Sequence, residues 1–145
     1  MVPSFLLVDG NNIIHAWPDL LDLHRRQSGL AHEELIRRLT GYRDLTGDRV
    51  VVVFDGRGAR ISNEKQEPGL QVMYSSSGKT ADDVIERLAT KYADKYDITV
   101  ATDDRAEQDI VISVGGYAIS SDTLRDKIER AESEMIRFLE QRRKR

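Results

Sequence analysis

The chain has 145 residues, 39% of them hydrophobic, with no cysteine and a formal net charge of −3. This length supports one core rather than two comfortable domains, so we expect a single domain over residues 1–145. The lack of cysteine excludes disulfides, thiol nucleophiles and thiolate metal sites, and no apolar run is long enough to span a membrane. We therefore expect a cytoplasmic protein without a membrane partner, in which any metal is held by oxygen or imidazole.

Strand-like and helix-like segments alternate along the chain. The predicted strands cover residues 4–9, 49–55, 70–74, 98–102 and 117–119. The predicted helices cover residues 19–26, 33–45, 80–96 and 105–111, and a last helix begins at Ser120 or Ser121. This alternation predicts an α/β fold with right-handed crossovers and a mostly parallel central sheet, covered by helices on both faces.

Particular residues mark where the predicted helices begin and end. Gly47 closes the second helix, and Thr80 is a good N-cap for the third. The last helix carries an apolar stripe with spacings of four and three, formed by Leu124, Ile128, Ala131, Met135 and Phe138. The basic residues at the end of the chain lead us to expect a frayed tail over 140–145.

Aspartates follow or precede several predicted strands and helices at the same edge of the sheet. Asp9 and Asp55 end two strands, the pair 103–104 follows a third, and the pair 82–83 opens a helix. Each acid alone is ordinary turn or helix-start chemistry. Carboxylates that converge repel one another, however, and a hard divalent cation such as Mg²⁺ or Mn²⁺ relieves that repulsion. The pattern therefore predicts a metal site at the carboxyl edge of the sheet.

The first strand ends in an unusual way, with Asp9 followed by Gly10, Asn11 and Asn12. Glycine allows the backbone to pass close to a site, and an amide side chain can orient a ligand without adding charge. We therefore predict that Asn12 supports the acidic site beside Asp9.

Two other kinds of site fit the sequence less well. SSSGKT, residues 75–80, resembles a phosphate-binding loop, but Met73 stands where that motif requires a glycine, which excludes a nucleotide cofactor there. The three histidines, His15, His24 and His32, lack the spacing of a zinc site.

Four segments together resemble a known family. They are LLVDGNNIIHAWP (6–18), VVVVFD (50–55), KTADDVIERLA (79–89) and VATDDRAEQ (100–108). In this order they are similar to the YacP-like branch of the NYN domain ribonucleases, which are relatives of PIN domains. The resemblance implies a PIN-like three-layer α/β sandwich whose acids bind divalent metal for RNA cleavage.

The resemblance also assigns candidate site residues. It implies Asp9, Asn12, Asp82 and Asp104 as catalytic residues, with the three aspartates as metal ligands. Less certain ligands are Asp55, Asp83 and Asp103. Two departures stand out: Asn11 replaces a usual aromatic residue, and Asp103 replaces a usual small hydroxyl residue.

The expected reaction is metal-assisted hydrolysis of an RNA phosphodiester that leaves a 5′-phosphate and a 3′-hydroxyl. Arg57, Arg60 and Lys79 are candidate contacts for the RNA backbone. The resemblance implies messenger RNA on the translating ribosome as one setting for cleavage. Two alternative functions remain. The first is a catalytically inactive RNA- or ribosome-binding module of the same fold. The second is a phosphoacceptor signalling domain, which would not explain the DGNN and TADD motifs.

Overall fold

A computed structural model describes residues 2–56, 68–76 and 78–143 of the chain. Within these ranges five strands form one sheet and six helices cover it. The strands are β1 (Ser4–Asp9), β2 (Arg49–Phe54), β3 (Leu70–Tyr74), β4 (Asp97–Ala101) and β5 (Tyr117–Ile119). The helices are α1 (Gly10–Ala16), α2 (Pro18–Arg26), α3 (Ser28–Thr46), α4 (Ala81–Tyr92), α5 (Arg105–Ser113) and α6 (Ser121–Arg143).

The sheet is parallel throughout and has the strand order β3-β2-β1-β4-β5. The central strand β1 pairs with β2 on one side and with β4 on the other, so Leu7 lies between Val51 and Val100. The chain builds outward from β1 in one direction and then in the other, which places the reversal of strand order beside β1. Ligands of open parallel sheets bind at the carboxyl ends of the strands near such a reversal.

Helices cover both faces of the sheet, which confirms the predicted α/β class. Leu6 and Val8 point into a core shared with α1, α2, α3 and α6, whereas Leu7 points into a second core with α4 and α5. Alternate residues of β2 divide between the two faces in the same way. Burial on both faces explains why these strands are continuous apolar runs rather than alternating ones.

The helix ends combine predicted and unpredicted features. Gly47 ends α3 with a φ of 78°, and Thr80 caps α4 in a reciprocal hydrogen-bonded box with Asp83. Ser120 caps α6, because its Oγ accepts the N–H of Thr123 at 3.1 Å. The α1 helix was not predicted, since a seven-residue helix that begins Gly-Asn-Asn has weak helix propensity; buried Ile13 and Ile14 hold it against the core.

The last helix continues beyond the core that it helps to form. Leu124 and Ile128 are buried, but Met135 and Phe138, which extend the same stripe, are exposed. The helix persists to Arg143, so residues 140–143 of the expected tail are helical, and residues 144–145 lie outside the described part of the chain. No helix of the described residues is both long enough and apolar enough to cross a bilayer.

Gly10 is the tightest point in the turn from β1 to α1. A Cβ added there would lie 2.4 Å from two ring atoms of Phe54 and 3.0 Å from the carbonyl oxygen of Val53. The Phe54 ring cannot easily move away, because it is fully buried and stacks on His32 with a centroid distance of 4.1 Å. Glycine at this position therefore allows close contact with the end of β2.

We expect Gly10→Ala to lower the free energy of unfolding by about 1–3 kcal/mol, the usual cost of overpacking a dense core. Chemical denaturation measures this change. Gly41→Ala is the matched control, because Gly41 lies within α3 with no atom near its added Cβ, and alanine is the better helix former. An equal effect of the two substitutions would contradict the close packing of Gly10.

Candidate metal centre

Three carboxylates from three different elements meet at the carboxyl edge of the sheet. Asp9 ends β1, Asp82 lies in the first turn of α4, and Glu107 lies in the first turn of α5. One carboxylate oxygen from each lies within 4.8 Å of the other two. Among the residues that the structure describes, no other set of three acidic or histidine side chains converges this closely. The convergence predicted for Asp9 and Asp82 is therefore present, and Glu107 joins them.

Glu107 is the most unusual member of this acidic triad, as we call Asp9, Asp82 and Glu107. Its side chain is only 1% exposed, yet within the described ranges neither carboxylate oxygen has a hydrogen-bond partner. Buried carboxylates are costly unless they are paired, hydrogen-bonded or bound to a cation. The donor set is oxygen only, and its orphaned oxygens face two further acids, so the triad fits a hard divalent cation.

The sequence pattern conceals Glu107 because it looks like a helix-capping residue. Asp104 and Glu107 have the spacing of a capping box, in which the later acid reaches back to the backbone N–H of the first. Here the N–H of Asp104 donates instead to the Oγ1 of Thr102 at 3.1 Å. Glu107 is thus not engaged in capping and points into the triad. The only sequence signal for it is an acid one helical turn after a strand-end aspartate.

The electrostatics of the triad favour protonation while no cation is bound. Burial and, after it, the neighbouring Asp9 carboxylate raise the pKa of Asp82 to about 7. The same two causes, in the same order, raise the pKa of Glu107 well above its usual value. The close approach of Asp9 and Glu107 is a hydrogen bond only when one of the two carries a proton. A cation would displace such a proton, because the ligand form of a carboxyl group is the ionised one.

Asp104 lies beside the triad and caps a helix. Its Oδ1 accepts the backbone N–H groups of Ala106 at 3.0 Å and Glu107 at 3.3 Å, which makes it the N-cap of α5. Its charge is close enough to contribute to the raised pKa of Asp82. Asp104 is thus close to Asp82 but is not one of the three converging carboxylates, and one of its oxygens is already engaged by backbone.

The two amides after Asp9 bind backbone groups of the neighbouring strand ends. The Oδ1 of Asn11 accepts the N–H of Asp55 at 2.9 Å, and the Oδ1 of Asn12 accepts the N–H of Asp103 at 2.8 Å. Since β2 and β4 flank β1, the two side chains tie the central strand to both neighbours.

The less certain ligands all have hydrogen-bonded roles in the fold. Asp55 accepts the backbone N–H of Ala81 at 2.8 Å, where α4 begins. Asp83 completes the capping box with Thr80. Asp103 accepts both the N–H and the hydroxyl of Ser121, at 2.8 and 2.6 Å, where α6 begins.

Of the predicted RNA contacts, Arg57 and Arg60 lie outside the described residues. Lys79 is exposed and immediately precedes the N-cap of α4, the helix that carries Asp82. This position leaves its ammonium group accessible at the same edge of the sheet as the triad.

The histidines come together elsewhere, on the side of the sheet covered by α1, α2 and α3. The rings of His15 and His24 meet edge to face with centroids 5.0 Å apart, and His32 stacks on Phe54. They contribute no ligand to the acidic triad.

Comparisons with known proteins agree with the fold. The family model described as "YacP-like NYN domain" matches residues 6–145. YacP of Bacillus subtilis (strain 168) is 36% identical over 136 residues, which cover 92% of this chain and 80% of that protein. The crystal structure of Rae1 (YacP) from Bacillus subtilis aligns with a TM-score of 0.79 and 34% identity over 94% of this chain and 80% of that one. Its W164L mutant aligns with a TM-score of 0.78 and 34% identity over 92% and 79%.

The unpaired burial of Glu107 predicts a pH-dependent stability in metal-free protein. Its pKa is higher in the folded protein than its ordinary value of 4.5, so above pH 4.5 the folded state keeps a proton that the unfolded chain releases. Stability therefore falls as pH rises from there through neutrality. Gln at this position is always neutral, so we expect Glu107→Gln to flatten this slope and to stabilise the metal-free protein by about 1–2 kcal/mol at pH 8.

Chemical denaturation with a chelator present, at pH 5 and at pH 8, measures both effects. Glu140→Gln makes the same change at an exposed position of α6 and should leave the pH slope as it is in the wild type. A Glu107→Gln variant that is less stable than the wild type at pH 8 would contradict an unpaired buried carboxylate.

Proposed function

The chain belongs to the YacP-like NYN domain family, and from this premise we propose that it is a divalent-metal-dependent endoribonuclease. Membership of the family supports a nuclease-like, RNA-related function. Our proposal adds two points to this: the dependence on a divalent metal, and cleavage at internal phosphodiester bonds of the RNA. The observation that carries them is the acidic triad, in which a buried glutamate, whose oxygens meet no well-placed donor among the described residues, lies beside two more acids.

In this proposal Asp9, Asp82 and Glu107 hold Mg²⁺ or Mn²⁺. Asp104 belongs to the proposed catalytic set through its charge beside Asp82, while its Oδ1 caps α5. When bound there, such a cation polarises a phosphate group and lowers the pKa of a coordinated water molecule.

The residues of this chain prepare the site for that chemistry. Burial of Asp9 and Glu107 excludes water from one side of the triad, which strengthens every charge interaction within it. The raised pKa of Asp82 means that, without a cation, this group is protonated part of the time near neutral pH. Asn12 accepts the N–H of Asp103 and so holds the segment after β4. In this proposal, that bond keeps Asp104 and Glu107 close to Asp9.

The substrate in this proposal is RNA bound along the carboxyl edge of the sheet. Lys79, together with Arg57 and Arg60 in the segment after β2, would contact the phosphate backbone and position the strand without reading its sequence. Sequence selection would then come from a partner, and the translating ribosome with its messenger RNA is the partner that we propose. This setting places the protein in the cytoplasm.

We expect Asp9→Asn and Asp82→Asn each to lower Mn²⁺-dependent RNA cleavage by at least about 100-fold, because each removes charge from the cation site. The product ends of the wild-type reaction should be a 5′-phosphate and a 3′-hydroxyl. Asp109→Asn, at an exposed position of α5, is the matched control and should cleave as the wild type does.

Cleavage is measured with purified RNA and, in parallel, in a translating extract, so that dependence on the ribosome becomes visible. Unchanged cleavage by Asp9→Asn in both settings would exclude these assignments. Mn²⁺ binding to the wild type without cleavage in either setting would instead indicate an inactive binding module.

A second prediction concerns how the RNA backbone is held. We expect Lys79→Ala to raise the KM for RNA about threefold to tenfold with little change in kcat, since a phosphate contact binds the ground state and the transition state alike. The effect should shrink at high salt, where the contact is screened. Lys127→Ala, at an exposed position of α6, is the control. A fall in kcat at constant KM would argue against a positioning contact.

A further inference from the structure

Asn11 and Asn12, which follow Gly10, begin two sets of hydrogen bonds that lead toward the segments carrying Asp82 and Glu107. The first begins at Asn11, whose Oδ1 accepts the backbone N–H of Asp55, 44 residues away in sequence. The Asp55 carboxylate in turn accepts the N–H of Ala81 at 2.8 Å. Ala81 is the first residue of α4 and directly precedes Asp82. Asn11 and Asp55 thus connect the end of β1 to the backbone that carries Asp82.

The second set begins at Asn12 and runs in the opposite direction across the sheet. Its Oδ1 accepts the N–H of Asp103, 91 residues away, and the Asp103 carboxylate holds the N–H and hydroxyl of Ser121. The next residue, Asp104, accepts the N–H of Glu107. Asn12 thus connects the end of β1 to the turn that presents Glu107, and the Asp103 side chain anchors the same turn to the start of α6.

The donors in these two sets fix the orientation of the amides. A backbone N–H can be accepted only by the oxygen of an asparagine side chain and never by its NH₂ group. At Asp55 the acceptor is a carboxylate oxygen, which accepts the backbone N–H of Ala81 at 2.8 Å. An amide oxygen could perform that task equally well, whereas an amide is a much poorer ligand than a carboxylate for a hard cation.

We propose that Asn11 with Asp55, and Asn12 with Asp103, are positioning residues that set the spacing of the triad, and that Asp55 and Asp103 are not metal ligands. This inference rests on the proposed metal-dependent function of the triad. In this proposal Asn11 holds the end of β2 and, through Asp55, the start of α4. Whenever the three acids are ionised they repel one another, and such restraint keeps the elements that carry them from moving apart.

A pair of substitutions at Asp55 separates a ligand from a positioning residue. Asp55→Ala removes both charge and acceptor, and we expect it to weaken Mn²⁺ binding about 10- to 100-fold, as loss of a supporting group around a metal site does. Asp55→Asn removes the charge but keeps an acceptor for Ala81, and we expect its affinity to stay within about threefold of the wild type. Isothermal titration calorimetry measures both. Equal losses in the two variants would make Asp55 a ligand, and no loss in either would give it no role; both results overturn the proposal.

The same comparison applies at Asn11. Asn11→Leu removes the acceptor at similar volume and should weaken Mn²⁺ binding, while Asn11→Asp keeps an acceptor and should not. The double variant Asn11→Leu/Asp55→Ala should bind Mn²⁺ no more weakly than the poorer single variant, since both changes interrupt one chain. Fully additive losses would show that the two residues act independently.

A metal-free measurement keeps the inference separate from the proposed function. Amide hydrogen exchange of the folded apoprotein reports the N–H groups of Asp55 and Ala81 directly, and we expect Asn11→Leu to speed up exchange at both. The N–H of Asp103, held by Asn12, should keep its wild-type rate and serves as the internal control. Unchanged exchange at Asp55 and Ala81 would overturn the positioning chain. A wild type that binds no Mn²⁺ but shows the expected exchange would overturn the metal proposal alone.

Discussion

Mutual repulsion among three crowded carboxylates is the constraint around which the carboxyl edge of this protein is organised. Asp9 and Glu107 are almost fully buried, and Asp82 lies close enough to have its pKa raised by Asp9. An arrangement of this kind opposes folding whenever the acids are ionised and no cation is present. The rest of the fold must therefore supply enough rigidity to keep the three acids together, and that requirement explains features far from the triad itself.

The parallel sheet supplies the first part of that rigidity. With β1 at the centre and covered on both faces, the end of β1 can shift only if both cores are disrupted. Helices that follow parallel strands begin at the same edge, so α4 and α5 present their first turns toward Asp9. Gly10 allows the chain to turn there without pushing Phe54 away. The backbone geometry thus determines where the acids lie before any side chain interacts with another.

Much of the fold could be predicted from the sequence, because it depends on local pattern. Strands β1, β3 and β5 have the predicted bounds, and Thr80 caps α4 as expected. The edge that gathers the acids also follows from strand and helix alternation alone. Glu107 could not be predicted, because its spacing from Asp104 is that of a helix cap, and in the structure the Asp104 N–H donates to Thr102 instead. The sequence pattern shows which helix or strand carries a residue. Which of two possible hydrogen-bond partners that residue binds depends on the folded structure.

The acids at this edge of the sheet also differ in the groups that they bind. Asp55, Asp83 and Asp103 are the less certain predicted ligands, and each one accepts a backbone N–H at the start of a helix. An acid used in this way stabilises a helix terminus, and its charge is partly compensated by the helix dipole. Within the part of the chain that the structure describes, neither Glu107 oxygen accepts such a bond. Where many carboxylates share one edge of a sheet, those without protein donors are the stronger candidates for metal ligands, because donors already occupy the oxygens of the others.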